Sequence, residues 1–569
     1  MEKQWKISHP ANSELVDSLQ KELNVDRIVA TVLTQRNIST FDEAKTFFRP
    51  DLNQLHDPFL MKGMKEAVDR INLALSNHEK ILIFGDYDVD GTTAVSLVYS
   101  FFKAYTRHIN YYIPDRYKEG YGISTQGIDF AAENNFSLII ALDCGIKSVD
   151  KINYANEKNI DFIICDHHLP GHELPKAVAI LDQKQSDCNY PYKELSGAGI
   201  GFKLIQAFSI KNNLPLEDCY HYLDLVATSI AADIVPITGE NRVLAHYGLE
   251  KINKNPRPGI KSLLNINQQK SSATISTLVF TLAPRINAAG RIKHGNKAVE
   301  LLSCEDEAMA DEYAKAIDDT NTQRRDLDLG TTIEALELIE NDLMTSKKNT
   351  TVLFNEKWNK GVIGIVASRM IEKYYKPTII LTESEGKITG SARSVREFDI
   401  YNAIEKCGNL LEQFGGHKYA AGLTLKKENV EPFKKRFEEV VSQSITPEQL
   451  IPKIEVDLEL EFFEINEKLL RILKQFAPHG PENMTPIFCC RNVFDTGWGQ
   501  VFSNNHLKLE LFQKSNPNVR FNAIAFDKGD YISFFQRKIP MDILFKIQEN
   551  EYKGITTIQL VIEDLKVSG

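Results

Sequence analysis

Three aspartates alternate in Phe84-Gly85-Asp86-Tyr87-Asp88-Val89-Asp90-Gly91, directly after an apolar run. Alternate residues of an extended chain share a face, so Asp86 and Asp88 can point into one site. Like charges held that close repel unless a cation neutralises them. Asp143 follows a second apolar run in Leu142-Asp143-Cys144-Gly145, and Cys165-Asp166-His167-His168 closes a third. A neighbouring Asp can accept the second N–H of an imidazole and fix its orientation. Asp233 stands among small and apolar residues in Ile230-Ala231-Ala232-Asp233-Ile234-Val235-Pro236. A buried carboxylate there needs a nearby cation or donor. Carboxylates with few histidines and no cysteine ligands favour hard cations, Mg²⁺ or Mn²⁺, over structural zinc. The chemistry that fits is hydrolysis of a phosphodiester. Two ions about 3.5–4 Å apart can activate a water and clamp both the attacking and leaving oxygens. No Ser-His-Asp or Cys-His pattern competes, so no side-chain nucleophile is assigned. Taken singly, each motif has a plainer reading: a solvated acidic turn, a turn or N-cap Asp, a surface His pair. A calcium EF-hand is excluded at Asp86, because its twelfth position is Leu97 rather than Glu and a strand precedes it.

These residues need a scaffold that brings strand ends together. The runs Ile81–Gly85, Phe136–Leu142, Phe162–Cys165 and Val178–Leu181 alternate with helical stretches. That spacing predicts an α/β fold with a mostly parallel sheet, which binds ligands at the carboxyl ends of its strands. Residues 1–75 read as a helical segment of this catalytic domain, with Leu15, Leu19, Ile28, Leu33 and Phe47 as its apolar positions. The catalytic domain is expected over 76–296. A charged, helical connector follows over 297–347, and a second α/β domain over 348–450. From 451 to 569 short alternating strands with Pro, Asn and Gly turns predict an all-β barrel or sandwich.

A chain of 569 residues implies three to five domains. Apolar residues at 43% and charged residues at 25% are ordinary for a globular chain, which argues against a disordered or collagen-like protein. No apolar stretch approaches the ~18–20 residues needed to span a bilayer, so no membrane association is expected. Met1 to Pro10 lacks an apolar core, and the eight cysteines form no C-x-x-C pair. A cytoplasmic compartment is therefore expected. The net charge of −10 does not exclude nucleic acid, because binding depends on where positive charge clusters.

Three glycine-containing turns could cradle an anion. Gly361 and Gly364 open a helix in 358–369, Ser391 and Arg393 follow Gly390, and Gly415-Gly416-His417 forms the third. Each alone is more often a tight turn.

Together the motifs resemble the DHH phosphoesterase superfamily, named for the triplet Asp166-His167-His168, and within it the single-strand-specific exonucleases. The resemblance spans essentially the whole chain. It rests on GDYDVDG at 85–91, PDRYKEGYG at 114–122, LDCG at 142–145, CDHH at 165–168 and SGAGIGFK at 196–203. It continues in AADIVP at 231–236, PRINAAGR at 284–291, GVIGIVASR at 361–369, GSARS at 390–394 and FGGHKYAAGL at 414–423. The resemblance implies that Asp88, Asp143, His167 and Asp233 hold one divalent cation, Mn²⁺ or Mg²⁺, and that Asp86 and Asp143 hold a second. Asp90 and Asp166 would support these ligands from behind, and His168 would face the scissile phosphate. Leu82 stands where some superfamily members have a further His, so the second ion would have fewer ligands. Arg116, Ser391 and Arg393 would hold a terminal 5′ phosphate. Arg285, Asn287 and Arg291 would line the strand path, and Gly415, Gly416 and His417 would complete the grip. The C-terminal segment resembles an OB-fold, with Trp498, Phe502, Lys508, Phe512, Arg520 and Phe526 interleaved for base stacking. The implied activity is 5′→3′ exonuclease action on single-stranded DNA in repair and recombination. The implied partners are a strand with a free 5′ end and a single-strand-binding protein or helicase. Two rivals stay open: a smaller-substrate DHH phosphodiesterase, and a non-enzymatic scaffold with a decayed metal site.

Overall fold

The computed structural model describes residues 3–8, 12–268, 271–292, 294–341, 348–503 and 505–569. Five parallel strands form the first sheet, in the order Ile109–Tyr112, Lys80–Gly85, Phe136–Leu142, Asp161–Cys165 and Ala179–Leu181. The runs ILIFG and FSLIIAL are almost wholly buried, as a sheet covered on both faces requires. One face packs on Val89–Lys103 and Gly197–Lys211 within a large core, and the other on Thr125–Glu133 and Val149–Glu157. The register pairs Gly85 with Leu142, Leu142 with Cys165, and Cys165 with Leu181. Four adjacent strands therefore end level, and the next residue of each is an aspartate: Asp86, Asp143, Asp166 and Asp182.

The 35-residue helix Glu307–Asn341 leaves this body and runs to a second sheet. That sheet has the order Gln413–His417, Ala420–Leu425, Lys387–Arg393, Thr378–Ser384 and Thr351–Phe354. The last two pair in parallel and the others antiparallel. Ser391 faces Gly422, and Gly422 faces Gly415. A Cβ on Gly415 would meet nothing, and one on Gly422 only a carbonyl 4.0 Å away. Two bare positions beside Ser391 thus leave a trough across three strands.

In the C-terminal region five strands of a seven-stranded sheet curl into a barrel, closed where Phe488–Asp495 pairs with His506–Gln513, and the short strands Leu458–Glu459 and Gln500–Phe502 flank the closure. One expectation is corrected here. Val16, Leu19, Val29, Leu33 and Ala44 share a core with Phe488, Leu507 and Phe545 of the barrel, not with the parallel sheet. The strand Gln4–Ile7 pairs with Lys453–Val456. The helices of residues 13–48 therefore belong to the barrel's packing, whereas Leu52, Leu55, Phe59, Met61 and the helix Met64–Ser76 join the catalytic core. Sequence distance hid this, because an amphipathic helix does not state which apolar face it will meet. Arg242 ties the two bodies together. Its guanidinium stacks over Phe47 and donates to the carbonyls of Phe47, Gln475, Phe476, Ala477 and Pro478.

Candidate functional site

The acidic residues meet at the carboxyl edge of the parallel sheet. His167 is the hub: its Nε2 lies 3.2 Å from Asp143 Oδ1, 3.5 Å from Asp233 Oδ2 and 3.6 Å from Asp90 Oδ2. Asp143, His167 and His168 each offer one ligand atom within 4.8 Å of the others, as do Asp90, His167 and Asp233. Asp86 is fully buried, and neither of its oxygens has a hydrogen-bond partner. Burial, then Asp88, pushes the Asp86 carboxyl well above the usual range, although the N–H groups of Tyr87 and Gly122 lie near enough to oppose this in part. Burial and the neighbouring aspartates likewise raise Asp88 and Asp143, and raise Asp233 to about 8. Four carboxyls forced toward their neutral forms, with two orphaned buried oxygens, are what remains when a cluster built around positive charge is taken without it. Oxygen donors with one imidazole suit Mg²⁺ or Mn²⁺, so the residues present fit divalent cations. Leu82 lies fully buried in its strand and adds no ligand.

The backbone holds this arrangement under strain. Asp143 adopts φ 58 and Ile234, just after Asp233, φ 59. Positive φ is tolerated by Asp and is an outlier for a β-branched residue, and such residues cluster at functional sites. Asp88 caps the helix Val89–Lys103 by accepting from the Gly91 N–H. Asp90 is braced from behind: it accepts from the N–H groups of Gly197 and Ala198 at 2.7 and 2.8 Å and from the Ser229 hydroxyl at 2.7 Å. A Cβ on Gly197 would sit 2.7 Å from Asp143 Cβ, so only glycine fits there. Asp166 accepts from the Ile146, His167 and His168 N–H groups and from His168 Nδ1 at 2.7 Å. Burial alone would raise Asp166, but the bonds from His168 prevail and hold it low. Asp166 in turn raises His168 against its own burial.

Beside the acidic edge lies a cationic cavity of about 440 Å³, within the roughly 300–1,000 Å³ typical of ligand pockets. Arg116, Arg291, Lys360 and Arg393 line it, with Ser391, Gly415, Gly422 and, toward the acidic edge, Tyr87 and Tyr121. Burial, then Arg116, Arg324 and Arg393, lowers Arg291 to about 10. Burial, then Arg116, also lowers Arg393. Arg393 donates to the Ser391 hydroxyl at 3.1 Å, and Arg116 covers the Tyr87 ring at 5.0 Å. Four cationic side chains lining one cavity suit an anion.

Four expected contacts fall outside the cavity lining. Arg285 pairs with Asp318 on the long helix at 2.8 Å and donates to the Thr281 carbonyl. Asn287 lies half-buried on the same helix, Ala283–Ile292. Gly416 serves the turn, since a Cβ there would strike the Ala420 carbonyl at 2.4 Å. His417 stands exposed at the hairpin tip, where burial, then Arg393 and His168, lowers its pKa. Sequence reasoning missed Asp182, fully buried with Oδ2 unpartnered and raised to about 7 by burial and Asp166. The same signature, an Asp after an apolar run, was available there. On the barrel, Trp498, Phe502 and Phe526 are exposed, with Lys508 over the Trp498 ring, while Phe512 packs half-buried on Phe494.

A parallel sheet ending in aspartates and a His pair, joined by a long helix to a mixed-sheet domain facing it, defines a DHH-type phosphoesterase. Residues 80–230 match the family model described as the DHH family N-terminal domain, 347–443 the DHHA1 domain, and 456–564 the RecJ OB domain. The chain is 37% identical to the single-stranded-DNA-specific exonuclease RecJ of Bacillus subtilis, covering 99% of this chain and 71% of that protein. The chain belongs to the RecJ family. Its fold matches the crystal structure of RecJ with Mn²⁺ from Thermus thermophilus at a TM-score of 0.85 and 24% identity, covering 100% of this chain and 80% of that one. It also matches a crystal structure of exonuclease RecJ bound to manganese at a TM-score of 0.61 and 28% identity, covering 70% of this chain and 98% of that one.

Proposed function

We propose that this chain is a divalent-cation-dependent exonuclease that removes mononucleotides from the 5′ end of single-stranded DNA, in repair and recombination. The observation that carries the reading is the cationic cavity set directly beside the acidic edge, with Tyr87 and Tyr121 bordering both. Arg116, Ser391 and Arg393 hold the 5′ phosphate in the cavity. The next phosphodiester then falls at the acidic edge, so a fixed distance selects one nucleotide from a free end. Asp86, Asp88, Asp143, His167 and Asp233 hold the cations, with Asp143 shared. When bound, the cations supply Lewis acidity toward the phosphate and the attacking water. Asp90 and Asp166 keep the ligands aimed, and His168 faces the scissile phosphate. Arg291 and His417 flank the strand end. The family relationship supports the substrate, because the B. subtilis relative is a single-stranded-DNA-specific exonuclease.

The exposed Trp498, Phe502 and Phe526 of the barrel give a longer strand stacking surfaces beside Lys508. That surface disfavours the small-substrate rival. The intact carboxylate set disfavours a decayed scaffold. No helix among the described residues is long and apolar enough to cross a membrane. A cytoplasmic enzyme supplied with strands by a helicase or a single-strand-binding protein completes the reading.

The test incubates purified protein and Mn²⁺ with 5′- and 3′-labelled single strands, duplex and RNA. Early release of labelled mononucleotide from the 5′-labelled single strand alone is expected. Inert strands with hydrolysis of dinucleotides would favour the rival.

The glycine trough yields a separate expectation. Gly422→Val places a branched side chain between Ser391 and Gly415, in space that is open. A β-branched residue suits a strand, so the melting temperature should hold within about 2 °C, taking a surface change as ±0.5 kcal/mol. The Michaelis constant for 5′-phosphorylated strands should rise about tenfold, as loss of one good polar contact predicts. Unchanged kinetics would remove the trough from the strand's seat.

A further inference from the structure

Tyr121 touches both halves of the site. It lines the cationic cavity, and its hydroxyl lies 3.3 Å from His168 Nε2. The other ring nitrogen of His168 is held by Asp166 at 2.7 Å, and Asp166 is itself fixed by three backbone N–H groups. One bond alone leaves an imidazole free to pivot about it. The Tyr121 hydroxyl is the second point that fixes the ring. The tyrosine ring stands edge-on to Tyr87 at 6.2 Å, and Arg116 covers the Tyr87 face. Gly120 and Gly122 flank Tyr121 with φ 86 and 80. A Cβ would meet nothing at Gly120 and only Cys144 at 3.9 Å from Gly122, so these glycines supply backbone conformation rather than space. The tyrosine is thus 55% exposed, mounted between two permissive positions and anchored mainly by what it touches.

We propose that Tyr121 is a positioning residue that couples filling of the cationic cavity to the orientation of His168 at the scissile phosphate. This rests on the roles proposed above for the cavity and for His168. A strand end seated against Arg116 and Tyr87 packs on the Tyr121 ring and settles it. The settled hydroxyl, bonded to Nε2, then keeps the His168 ring facing the bond to be broken. An empty cavity leaves the tyrosine, and with it the imidazole, less fixed.

Tyr121→Phe keeps the ring and removes the hydroxyl. Turnover on 5′-phosphorylated strands should fall about fivefold with the Michaelis constant unchanged within about twofold, the size of one ordinary hydrogen bond. In a His168→Ala background the same substitution should cost nothing further, because the two side chains act as a unit. A second measurement needs no turnover. In Mg²⁺-loaded protein labelled with ¹⁵N-histidine, the His168 Nε2 resonance should shift in Tyr121→Phe. A 5′-phosphorylated thymidine dinucleotide should move that resonance in the parent protein and fail to move it in the variant. Equal losses in both backgrounds, a loss confined to the Michaelis constant, or an unmoved resonance would overturn the proposal. A parent protein inert toward single strands would sink the exonuclease reading, while the resonance would still decide this one.

Discussion

Asp143→Asn is expected to lower turnover by at least three orders of magnitude, since a cation-activated hydrolysis loses most of its acceleration with a shared ligand. Asparagine is the informative change. Asp143 sits at φ 58, which Asn tolerates and Ala does not, and its Cβ packs within 2.7 Å of where a Gly197 Cβ would stand. The variant therefore keeps shape and backbone while losing charge. Stability moves the other way. The folded-state pKa of Asp143 is raised by burial, then by Asp90, Asp88 and Asp233. A carboxyl so raised binds its proton more tightly folded than unfolded. Its contribution to stability falls as pH climbs from the unfolded value, and at neutral pH the charge opposes folding. Metal-free Asp143→Asn should thus melt no lower than metal-free parent protein. Added Mn²⁺ at about a hundred times its dissociation constant should raise the parent by roughly 5 °C, from about 2.7 kcal/mol of linkage, and the variant by little. Calorimetry with and without Mn²⁺, beside a turnover assay, checks both signs. A variant that keeps turnover, or gains as much from Mn²⁺ as the parent, removes Asp143 from the cation set.

The acidic edge was legible because its logic is local. A strand end followed by Asp can be read from a dozen residues, and a parallel sheet brings such ends together without further instruction. Asp86, Asp143 and Asp166 were found in this way, and Asp182, which follows the run Val178–Leu181, carries the same local signal. Roles that depend on neighbours from elsewhere in the chain were not legible. The string DYDVDG alone does not separate Asp90 from the ligands, and only the resemblance set it behind them; the N–H groups of Gly197 and Ala198 and the Ser229 hydroxyl that bind both its oxygens come from distant segments. Arg285 and Arg291 bracket one helical stretch alike, yet Asp318 neutralises the first and the cavity receives the second. The distinction lies in the long helix, whose register against Ala283–Ile292 no local pattern encodes. The same limit explains the first 48 residues. Their apolar stripe was visible, but the barrel that covers it begins some four hundred residues later. Removing residues 451–569 would strip that cover, so a truncation would report unfolding of the N-terminal helices as much as any loss of strand affinity.

Point substitution in the cavity avoids that confusion, and Arg393→Ala carries the largest expected effect there. Arg393 donates to Ser391 and the Ala392 carbonyl and faces no carboxylate partner among its described contacts. Its pKa is lowered by burial, then by Arg116. A cation in that position costs the empty protein stability and offers it to an anion. Losing a charge-assisted contact of about 1.5–3 kcal/mol should cut kcat/KM for 5′-phosphorylated strands roughly 10- to 100-fold. Strands with a 5′ hydroxyl never make the contact and should lose less than about threefold. Arg393→Lys should rescue little, because a point charge cannot replace the fork of donors that holds two phosphate oxygens. Relief of repulsion with Arg116 should leave the alanine variant at least as heat-stable as the parent without anion, and less stabilised than the parent by inorganic phosphate. Equal losses on both kinds of strand end would make Arg393 a general contact to the backbone. The selection of a free 5′ end would then fall to Arg116 and Arg291, the two guanidinium groups that share the cavity with it.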